Sequence, residues 1–409
     1  MKVIVVGGGA SGLVSAIFAA KNNNDVLILD NNSICGKKIL MTGNGKCNYW
    51  NSDWNIKHYH SNNIEILEKL ITNENEEKVL NFFDSIGIIP KIKNGYYYPY
   101  SNQATTIETA LIKEAELNNV KIKNNTCVLD IYKNGDNYIV KTIDNEYSAD
   151  NVILALGSKA SIKGVYNGYD LVKKLGHNII KPLPALVQLH GEGNYFKEWS
   201  GVRQDVKVSL VENGNLIRDE IGEIVLTDYG ISGICVMQLS GMVSRGLDLK
   251  KEEKVIINFA HWITDNIDDF IRWMNERNKK VIGRTITELL DGILNYKLVN
   301  LLIKKSKIKP DMQWNEIDIN LKKELAKNII SFEVKIIATN SFDKAQVCTG
   351  GVPLTEINIE TMESNKNKGL YIIGELLDVD GDCGGYNLGF AWLSGMIAGN
   401  SIKKDGYNA

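Results

Sequence analysis

The N-terminal sequence has the order strand, glycine turn, helix. Four apolar residues, Val3 to Val6, predict a buried parallel strand, and an alanine-rich helical segment follows the turn GGGASG. Gly7 permits the tight bend, Gly9 lets the backbone approach a pyrophosphate, and Gly12 lets the helix pack closely on the strand. The free amide groups at the start of the helix then face the phosphates. This order predicts a parallel α/β fold that binds a dinucleotide.

An acidic residue at the end of the second apolar run supports this interpretation. The run DVLILD ends in Asp30, which lies 18 residues past Gly12. A carboxylate at about this spacing binds the ribose hydroxyls of a dinucleotide. A GxGxxG string alone is weak, but here the strand, the turn, the helix and the acid agree. The alternative is a solvated acid at a strand end.

Length and charge restrict the class of protein. A chain of 409 residues is too long for one ordinary core and predicts two or three domains. The formal net charge of −2 favours a small-molecule substrate over a nucleic-acid partner. No apolar run approaches the length of a membrane-spanning helix, so no membrane association is expected. The oligomeric state is left open.

The N-terminus and the cysteines indicate a cytoplasmic protein. Cleavage of the N-terminal apolar segment as a secretory signal would remove the glycine turn, so we interpret the segment as a strand. The six cysteines form no CxxC pair and are expected to stay reduced. The five histidines are scattered, and no metal site is predicted.

The middle of the chain changes character twice. Helical spacing over 62–70, 76–86 and 104–117 is followed by short strands, with a hairpin turn at Asn134-Gly135. Short strands then continue from about residue 185 to 259 and predict a small β domain. From about residue 267 to 330 the pattern becomes helical.

The C-terminal segment predicts a second strand, glycine turn and helix. The run GLYIIGE is a strand ending on Gly374 and Glu375, DVDGDCGGYN is the turn, and a helix begins near Leu388. This helix carries small residues that indicate a very close packing partner; they are Gly389, Ala391, Ser394, Gly395, Ala398 and Gly399. A simple nicotinamide dehydrogenase has no need for this second anion site, whereas a flavin enzyme does. The alternative is a structural joint between strand and helix.

These segments resemble one family along nearly the whole chain, the BaiN-type NAD(P)/FAD-dependent oxidoreductases, also labelled aminoacetone-oxidase-like flavoproteins, of the two-dinucleotide-fold superfamily. The strings TGNGKCN and DVDGDCGGYN are highly specific to it. The matching strings are GGGASG (7–12), GKKILMTGNGKCN (36–48), YYPYSNQA (97–104), VILALG (152–157), GYDLVKKLGH (168–177), LTDYGISG (226–233), GGVPLTEIN (350–358) and GELLDVDGDCGGYNLGFAW (374–392).

The resemblance implies an α/β fold in which a Rossmann-like FAD-binding domain is split by an inserted β-barrel domain that itself carries a helical subdomain. The FAD-binding domain would comprise residues 1–186 and 346–409. The barrel would comprise 187–262 and 331–345, and the helical subdomain 263–330. This division agrees with the changes of pattern along the chain.

The resemblance also implies the contacts to FAD. Asp30 would bind the adenosine ribose and Val128 would lie near the adenine. Thr42 to Asn48 would line the pyrophosphate and the flavin, and Asp380 with Gly385 to Leu388 the ribityl chain and the ring. The full predicted set is Gly7, Gly9, Ala10, Ser11, Gly12, Asp30, Asn31, Gly36, Lys37, Lys38, Thr42, Gly43, Asn44, Gly45, Cys47, Asn48, Val128, Ala155, Leu156, Gly157, Gly374, Glu375, Asp380, Gly385, Tyr386, Asn387 and Leu388.

Two departures from the family pattern concern local contacts. Position 30 is Asp where such flavoproteins more often have Glu, which is one methylene longer. The strand ending in Gly157 reads ALGS instead of the usual ATGG, and a short loop is expected after it. Gly43-Asn44-Gly45-Lys46 has the alternative of being only a β-turn. Lys37, Lys38 and Lys46 either neutralise the pyrophosphate or are solvated.

The catalytic residue is not decided by the sequence. Tyr386 can donate a proton from its phenol, and Cys383 can act on the substrate through its thiol, but filling space is the alternative for each. The tyrosines at 96, 97, 98 and 100 either wall a substrate site or only pack.

The predicted activity is FAD-dependent hydride transfer to or from a small, hydrophobic organic substrate, with reduction of a C=C bond favoured. The chain holds a single nucleotide-binding GxGxxG, so either NAD(P)H acts as a transient donor or the substrate itself reduces the flavin. The alternatives are a flavin-dependent amine oxidase, a non-catalytic flavin-binding sensor or partner protein, and a plain NAD-dependent dehydrogenase.

Overall fold

The predicted N-terminal strand, Lys2–Val6, lies inside a seven-stranded sheet in the computed structural model of the protein. It pairs in parallel with Asp25–Leu29 on one side and Asn151–Leu154 on the other, and Asn151–Leu154 pairs in parallel with Leu370–Ile372. The two ends of the chain therefore share one sheet. The strand order across it is Ile357–Asn358, Glu363–Ser364, Leu370–Ile372, Asn151–Leu154, Lys2–Val6, Asp25–Leu29 and Lys121–Lys123.

The structure describes residues 1–160 and 166–403, which divide into two units. The first unit combines residues up to Pro182 with the chain from Val347 onward, and the second is Leu183–Gln346. The predicted domain limits stay a prediction, as does the separate helical subdomain. Part of the loop predicted to be short after Gly157 lies outside the described residues, as do the last six residues.

Two helices of the first unit lie in very close contact with each other. The first helix, Ala10–Lys21, packs against the C-terminal helix, Tyr386–Ser401. A Cβ atom at Gly395 would overlap the carbonyl oxygen of Ser11, and one at Gly399 would overlap that of Ser15. The small residues in the C-terminal helix thus have the close partner that the sequence predicted. The helix begins at Tyr386, two residues earlier than expected.

The remaining elements of the first unit surround this layer. The predicted hairpin joins Val128–Asn134 to Asn137–Thr142 through Gly135, whose φ is 63°. The other strands are Trp50–Asn51, Tyr59–His60, Pro90–Lys93, Tyr96–Pro99, Glu146–Ala149 and Asp380–Gly381. The other helices are Ile64–Leu67, Asn73–Ser85, Ala104–Leu117 and Gly168–Lys174, with 3-10 turns at Ile39–Gly45, Ile56–His58, Glu68–Leu70, Leu354–Glu356 and Gly374–Leu376.

The second unit contains a closed six-stranded barrel, as predicted. Its last strand, Phe332–Thr339, follows the helical segment and closes the barrel between Glu253–Asn258 and Leu189–Gly191. The strand order around the barrel is Leu189–Gly191, Gly230–Ser232, Asn215–Leu226, Arg203–Glu212, Glu253–Asn258 and Phe332–Thr339. Strands Ile180–Ala185 and Val347–Gly351 carry the chain into and out of this unit.

One helix in this unit contradicts the prediction of short strands from 185 to 259. Ile234–Asp248 is a 15-residue helix packed against the barrel strands. Its buried residues include Val236, Leu239 and Val243, spaced three and four apart, which is the helical signal that the surrounding strands masked. The predicted helical region contains Ile267–Lys280, Ile286–Asp291, Tyr296–Lys305, a 3-10 turn at Trp314–Glu316, and Ile319–Ile330, and Phe196–Trp199 is a further short helix.

A pair of carboxyl groups on adjacent barrel strands makes the stability of the protein depend on pH. Glu253 is 1% exposed and lies directly opposite Glu212 on the neighbouring strand. Burial and the Glu212 charge raise the pKa of Glu253 from its ordinary 4.5 to about 8. Lys251 binds Glu212, at 2.7 Å. The folded protein therefore keeps a proton on this site that the unfolded chain releases.

We expect the thermal midpoint of the protein to fall as pH rises from about 4.5 to about 8, and Glu253→Gln to remove this component. Above pH 8 the variant should melt about 3 °C or more higher than the wild type. Thermal melts followed by circular dichroism check this. Glu252→Gln, at an exposed neighbouring position, is the control, and equal melting of E253Q and wild type at every pH would contradict the prediction.

Candidate active site

The first glycine turn has the geometry that a pyrophosphate needs. Gly7 has a φ of 103°, and a Cβ there would overlap Ala155 O, while a Cβ at Gly12 would overlap Gly7 O. A Cβ at Gly9 would meet no atom of the described residues within 4 Å, so the space in front of this residue is open. No side chain caps the helix that follows, which leaves amide groups such as those of Ala10 and Ser11 available to an anion.

Asp30 is buried beneath this turn. It is 5% exposed, its Oδ2 accepts a hydrogen bond from Gly8 N at 2.5 Å, and its Oδ1 accepts one from Asn32 N at 2.6 Å. The alternative of a solvated acid at a strand end is therefore wrong. Each carboxylate oxygen keeps a further lone pair for a ribose hydroxyl. The shorter Asp brings its carboxylate to the turn itself, and its contact to ribose stays a prediction.

Four parallel strands end at the same edge of the sheet, and predicted residues follow each of them. Gly7, Asp30, Ala155 and Gly374 lie within the first residues after these ends. Crevices outside the carboxyl ends of parallel strands are where ligands bind in such sheets. Gly157 has a φ of 66° and open space at its Cβ position, and its carbonyl accepts a hydrogen bond from the Tyr166 hydroxyl at 2.7 Å. Leu156 lies between Ala155 and Gly157. Asn31 directly follows Asp30, and Val128 is the first residue of the hairpin.

The segment from Gly36 to Asn48 folds over the first turn. Gly36 N donates to Gly8 O at 2.7 Å. The segment contains a 3-10 helix, Ile39–Gly45, that is interrupted where Gly43 and Asn44 have φ values of 55° and 54°. Asn48 Oδ1 is buried and accepts no hydrogen bond from the described residues. A buried acceptor without a donor is the observation in this segment that fits a bound cofactor.

Cys47 contributes to this segment by packing. Its side chain is buried, and burial raises the pKa of the Cys47 thiol to about 12. The thiol therefore stays neutral. Lys37, Gly45 and Lys46 are exposed, and Thr42 is half-buried.

Glu375 connects three segments around the crevice. Its Oε2 pairs with Lys38 Nζ at 2.8 Å, and its Oε1 accepts from Ser158 Oγ at 2.7 Å and from Cys348 N at 3.1 Å. The structure thus gives Lys38 a partner that the sequence did not suggest, because Glu375 is 337 positions away. The charge of Lys38, one of the lysines considered as partners of the pyrophosphate, is therefore already compensated by Glu375.

The turn before the C-terminal helix, residues 378–385, is fixed by a side chain of that helix and by a strand from elsewhere in the chain. Asp378, Asp380 and Asp382 are all buried. The short strand Asp380–Gly381 pairs with Tyr59–His60. The side chain of Asn387 closes the turn, because its Oδ1 accepts from Gly381 N at 2.9 Å and its Nδ2 donates to Gly381 O at 2.7 Å. The predicted contact between Asn387 and the flavin must therefore use the same side-chain oxygen and nitrogen atoms that already bind Gly381.

Tyr386 begins the C-terminal helix, directly after Gly385, whose φ is 97°. Its ring stacks on the imidazole of His58, with centroids 4.4 Å apart and planes 20° apart. Burial, followed by the charges of Asp53 and Asp382, raises the pKa of Tyr386. The phenol therefore carries its proton at neutral pH, as a general acid must. Cys383 and Leu388 lie on either side of Tyr386 and are half-buried.

Sequence reasoning missed His58. Its Nδ1 lies 3.0 Å from Asp382 Oδ2, and its Nε2 lies 2.9 Å from Asp53 Oδ2. The sequence shows one isolated histidine, and the distance of 324 positions to Asp382 conceals the contact. A His-Asp pair near a glycine turn has no sequence signature of its own.

The residues present fit FAD. An uncapped helix faces the open space at Gly9, a buried carboxylate lies under it, and Asn48 presents an acceptor that needs a donor. Among the described residues, no group of three or more His, Cys, Asp or Glu side chains is arranged to hold a metal ion. Among the described helices, none has the length and apolar character that crossing a membrane requires.

Comparisons with known proteins find relatives along nearly the whole chain. The family model of the HI0933-like protein Rossmann domain matches residues 1–401. The chain is 36% identical over 407 residues to a 3-dehydro-bile acid delta(4,6)-reductase of Clostridium scindens, covering 98% of this chain and 99% of that protein. It is 26% identical over 403 residues to a ribosomal RNA dihydrouridine synthase of Escherichia coli, covering 98% and 97%.

Among solved structures, the chain is similar to a 3-ketosteroid-delta4-(5alpha)-dehydrogenase of Rhodococcus jostii, with 14% identity, a TM-score of 0.49, and coverage of 98% and 96%. The family match and the bile-acid relative each span nearly the whole chain. The chain therefore belongs to the HI0933-like family, which confirms the family, the Rossmann-type fold and the FAD-dependent oxidoreductase class predicted from its motifs.

Proposed function

We propose that the protein uses FAD to reduce an activated C=C bond in a hydrophobic small molecule of steroid type. The observation that carries the proposal is the end-to-end identity of 36% with a reductase named for the delta(4,6) bonds of a 3-dehydro-bile acid. In such a compound the carbonyl group is conjugated with the double bonds. Conjugation makes the far carbon of the system an acceptor for hydride.

Different residues have different roles in the proposed reaction. When bound, FAD supplies the capacity to accept and to donate a hydride. The uncapped first helix and the open space at Gly9 bind the pyrophosphate, and Asp30 binds the ribose. With FAD bound, the partial positive end of the C-terminal helix would favour negative charge on the flavin ring. Tyr386 donates the proton that the substrate carbon requires.

The hydride donor to the flavin and the location of the protein in the cell are also part of the proposal. We propose NAD(P)H as a transient donor to the flavin, in the absence of a second GxGxxG string. All six cysteines are free thiols, which supports the cytoplasmic location we propose.

RNA is the second candidate substrate. The relative from Escherichia coli is named for dihydrouridine in ribosomal RNA, and dihydrouridine is uridine with its ring double bond reduced. The same chemistry, C=C reduction, is therefore common to both relatives. The lower identity of 26% and the net charge of −2 favour the small molecule.

Anaerobic mixing tests the donor and the substrate. NADH or NADPH should bleach the yellow flavin band of the purified protein, and a 3-oxo-4,6-diene bile acid added afterwards should restore it. Mass spectrometry should find the bile acid two hydrogens heavier. If the steroid leaves the reduced flavin bleached while uridine-containing ribosomal RNA restores the band, the RNA substrate replaces the proposed one.

Replacing Asp30 tests the cofactor site. Asp30→Asn should weaken FAD binding by about tenfold or more, because a charge-assisted hydrogen bond to ribose is lost. Fluorescence titration of the apoprotein with FAD measures this. Asp25→Asn, at the exposed start of the same strand, removes only a surface ion pair to Lys121 and should leave the affinity unchanged. Equal affinity of D30N and wild type would exclude the ribose contact.

Replacing Tyr386 separates proton donation from packing. Tyr386→Phe should slow reoxidation of the reduced flavin by the dienone about 100-fold, while reduction by the nicotinamide keeps its rate. Stopped-flow absorbance resolves the two half-reactions. Tyr100→Phe, at an exposed phenol, is the control. Equal slowing of both half-reactions would show that the phenol only supports the structure.

A further inference from the structure

Both ring nitrogens of His58 face carboxylates. Nδ1 lies 3.0 Å from Asp382 Oδ2 and Nε2 lies 2.9 Å from Asp53 Oδ2. An ionised carboxylate only accepts hydrogen bonds, so each nitrogen must donate. A neutral imidazole has one N–H group and can satisfy only one of the two partners. The arrangement therefore requires the imidazolium form of His58.

Asp53, His58 and Asp382 lie at increasing depth from the solvent. The side chain of Asp53 is 53% exposed, that of His58 is 19% exposed, and that of Asp382 is 1% exposed. A carboxylate as buried as Asp382 needs a positive partner, since an unpaired charge in this environment is strongly unfavourable. Burial lowers the pKa of His58, but its hydrogen bonds to Asp382 and Asp53 outweigh burial and raise the pKa overall.

His58 contacts the turn at two points. Its carbonyl oxygen accepts a hydrogen bond from Asp382 N at 2.9 Å, and its ring lies on the ring of Tyr386. Between these points lie Gly384 and Gly385, with φ values of 131° and 97°. Glycines in these conformations add little stiffness of their own, so contacts from outside must fix this part of the turn. His58 supplies such contacts on both sides of the two glycines.

We propose that His58 is a positioning residue of the flavin site, whose imidazolium fixes the turn at the start of the C-terminal helix, so that FAD is held tightly only while the ring carries both protons. This inference rests on the proposed FAD-dependent function. His58 acts through Asp382 and Tyr386, and it is assigned no contact with the substrate.

The charged groups around His58 determine the sign of the effect. Lys57 Nζ lies 2.8 Å from Asp53, and His60 Nε2 lies 3.3 Å from the other oxygen of Asp382. These groups contact the two carboxylates that bind His58, and Tyr386 packs on its ring. When pH rises through the raised pKa of His58, the ring loses one donor and its charge, and Asp382 loses its cation. The contribution of His58 is therefore complete at acid pH and lost at alkaline pH.

The test measures release of FAD from the holoenzyme, followed by the recovery of flavin fluorescence after dilution, from about pH 6 to about pH 9. In the wild type the release rate should rise about tenfold or more as pH increases. In Asp53→Asn the same rise should occur with a midpoint at lower pH, since one of the two carboxylates that hold the second proton is gone. Asp53 is exposed, so this variant keeps the fold.

Two histidine variants complete the series. His58→Gln should release FAD rapidly at every pH, without the rise. His261→Gln, in the second unit, is the matched control and should follow the wild type. A midpoint that stays unmoved in D53N, or a wild-type rate independent of pH, overturns the inference while FAD binding stands. A wild-type protein that binds no FAD at any pH overturns the proposed function, and this inference with it.

Discussion

The close contact between the first helix and the C-terminal helix is the constraint on which the site depends. Gly395 and Gly399 leave no space for a side chain against the carbonyls of Ser11 and Ser15. Because the backbones touch, the helix that follows the second glycine turn lies directly beside the helix that follows the first. A larger residue at Gly395 would move one helix away, and the two anion-binding ends would separate. The small residues therefore serve the geometry of the site at a cost in intrinsic helix stability.

Compensated carboxylates are the second theme of the structure: Asp30 and Asp382 are buried, and Glu375 is half-buried. Asp30 is satisfied by backbone amides, Glu375 by a lysine, a hydroxyl and an amide, and Asp382 by two histidines. Glu375 and Asp382 join segments that are distant in sequence, and each of the three carboxylates would be unfavourable if its partner were removed. The site thus has negative groups whose charge is compensated before a cofactor binds. Positive potential for the phosphates is left to the helix ends.

Much of the fold could be predicted because its signals are local. The strand, turn and helix at each end of the chain have glycines at positions where only glycine permits the approach, and the barrel strands alternate in polarity. The helix at Ile234–Asp248 was missed because its apolar spacing is embedded among short strands. The site was predicted where residues follow a strand end or a motif, as with Asp30. His58 and the Lys38–Glu375 pair were missed because contacts across more than 300 positions leave no pattern in the sequence.

The sequence by itself determined the strand, glycine turn and helix at each end of the chain and predicted a dinucleotide site there, since glycine spacing and strand polarity follow from local backbone sterics. It also determined the family, through strings that persist along nearly the whole chain. Only the tertiary structure decided which side chains hold the second turn, which lysine is neutralised, and that Asn387 closes the turn from within. These outcomes depend on which surfaces come into contact after the sheet has formed. The order of residues along the chain does not indicate those contacts.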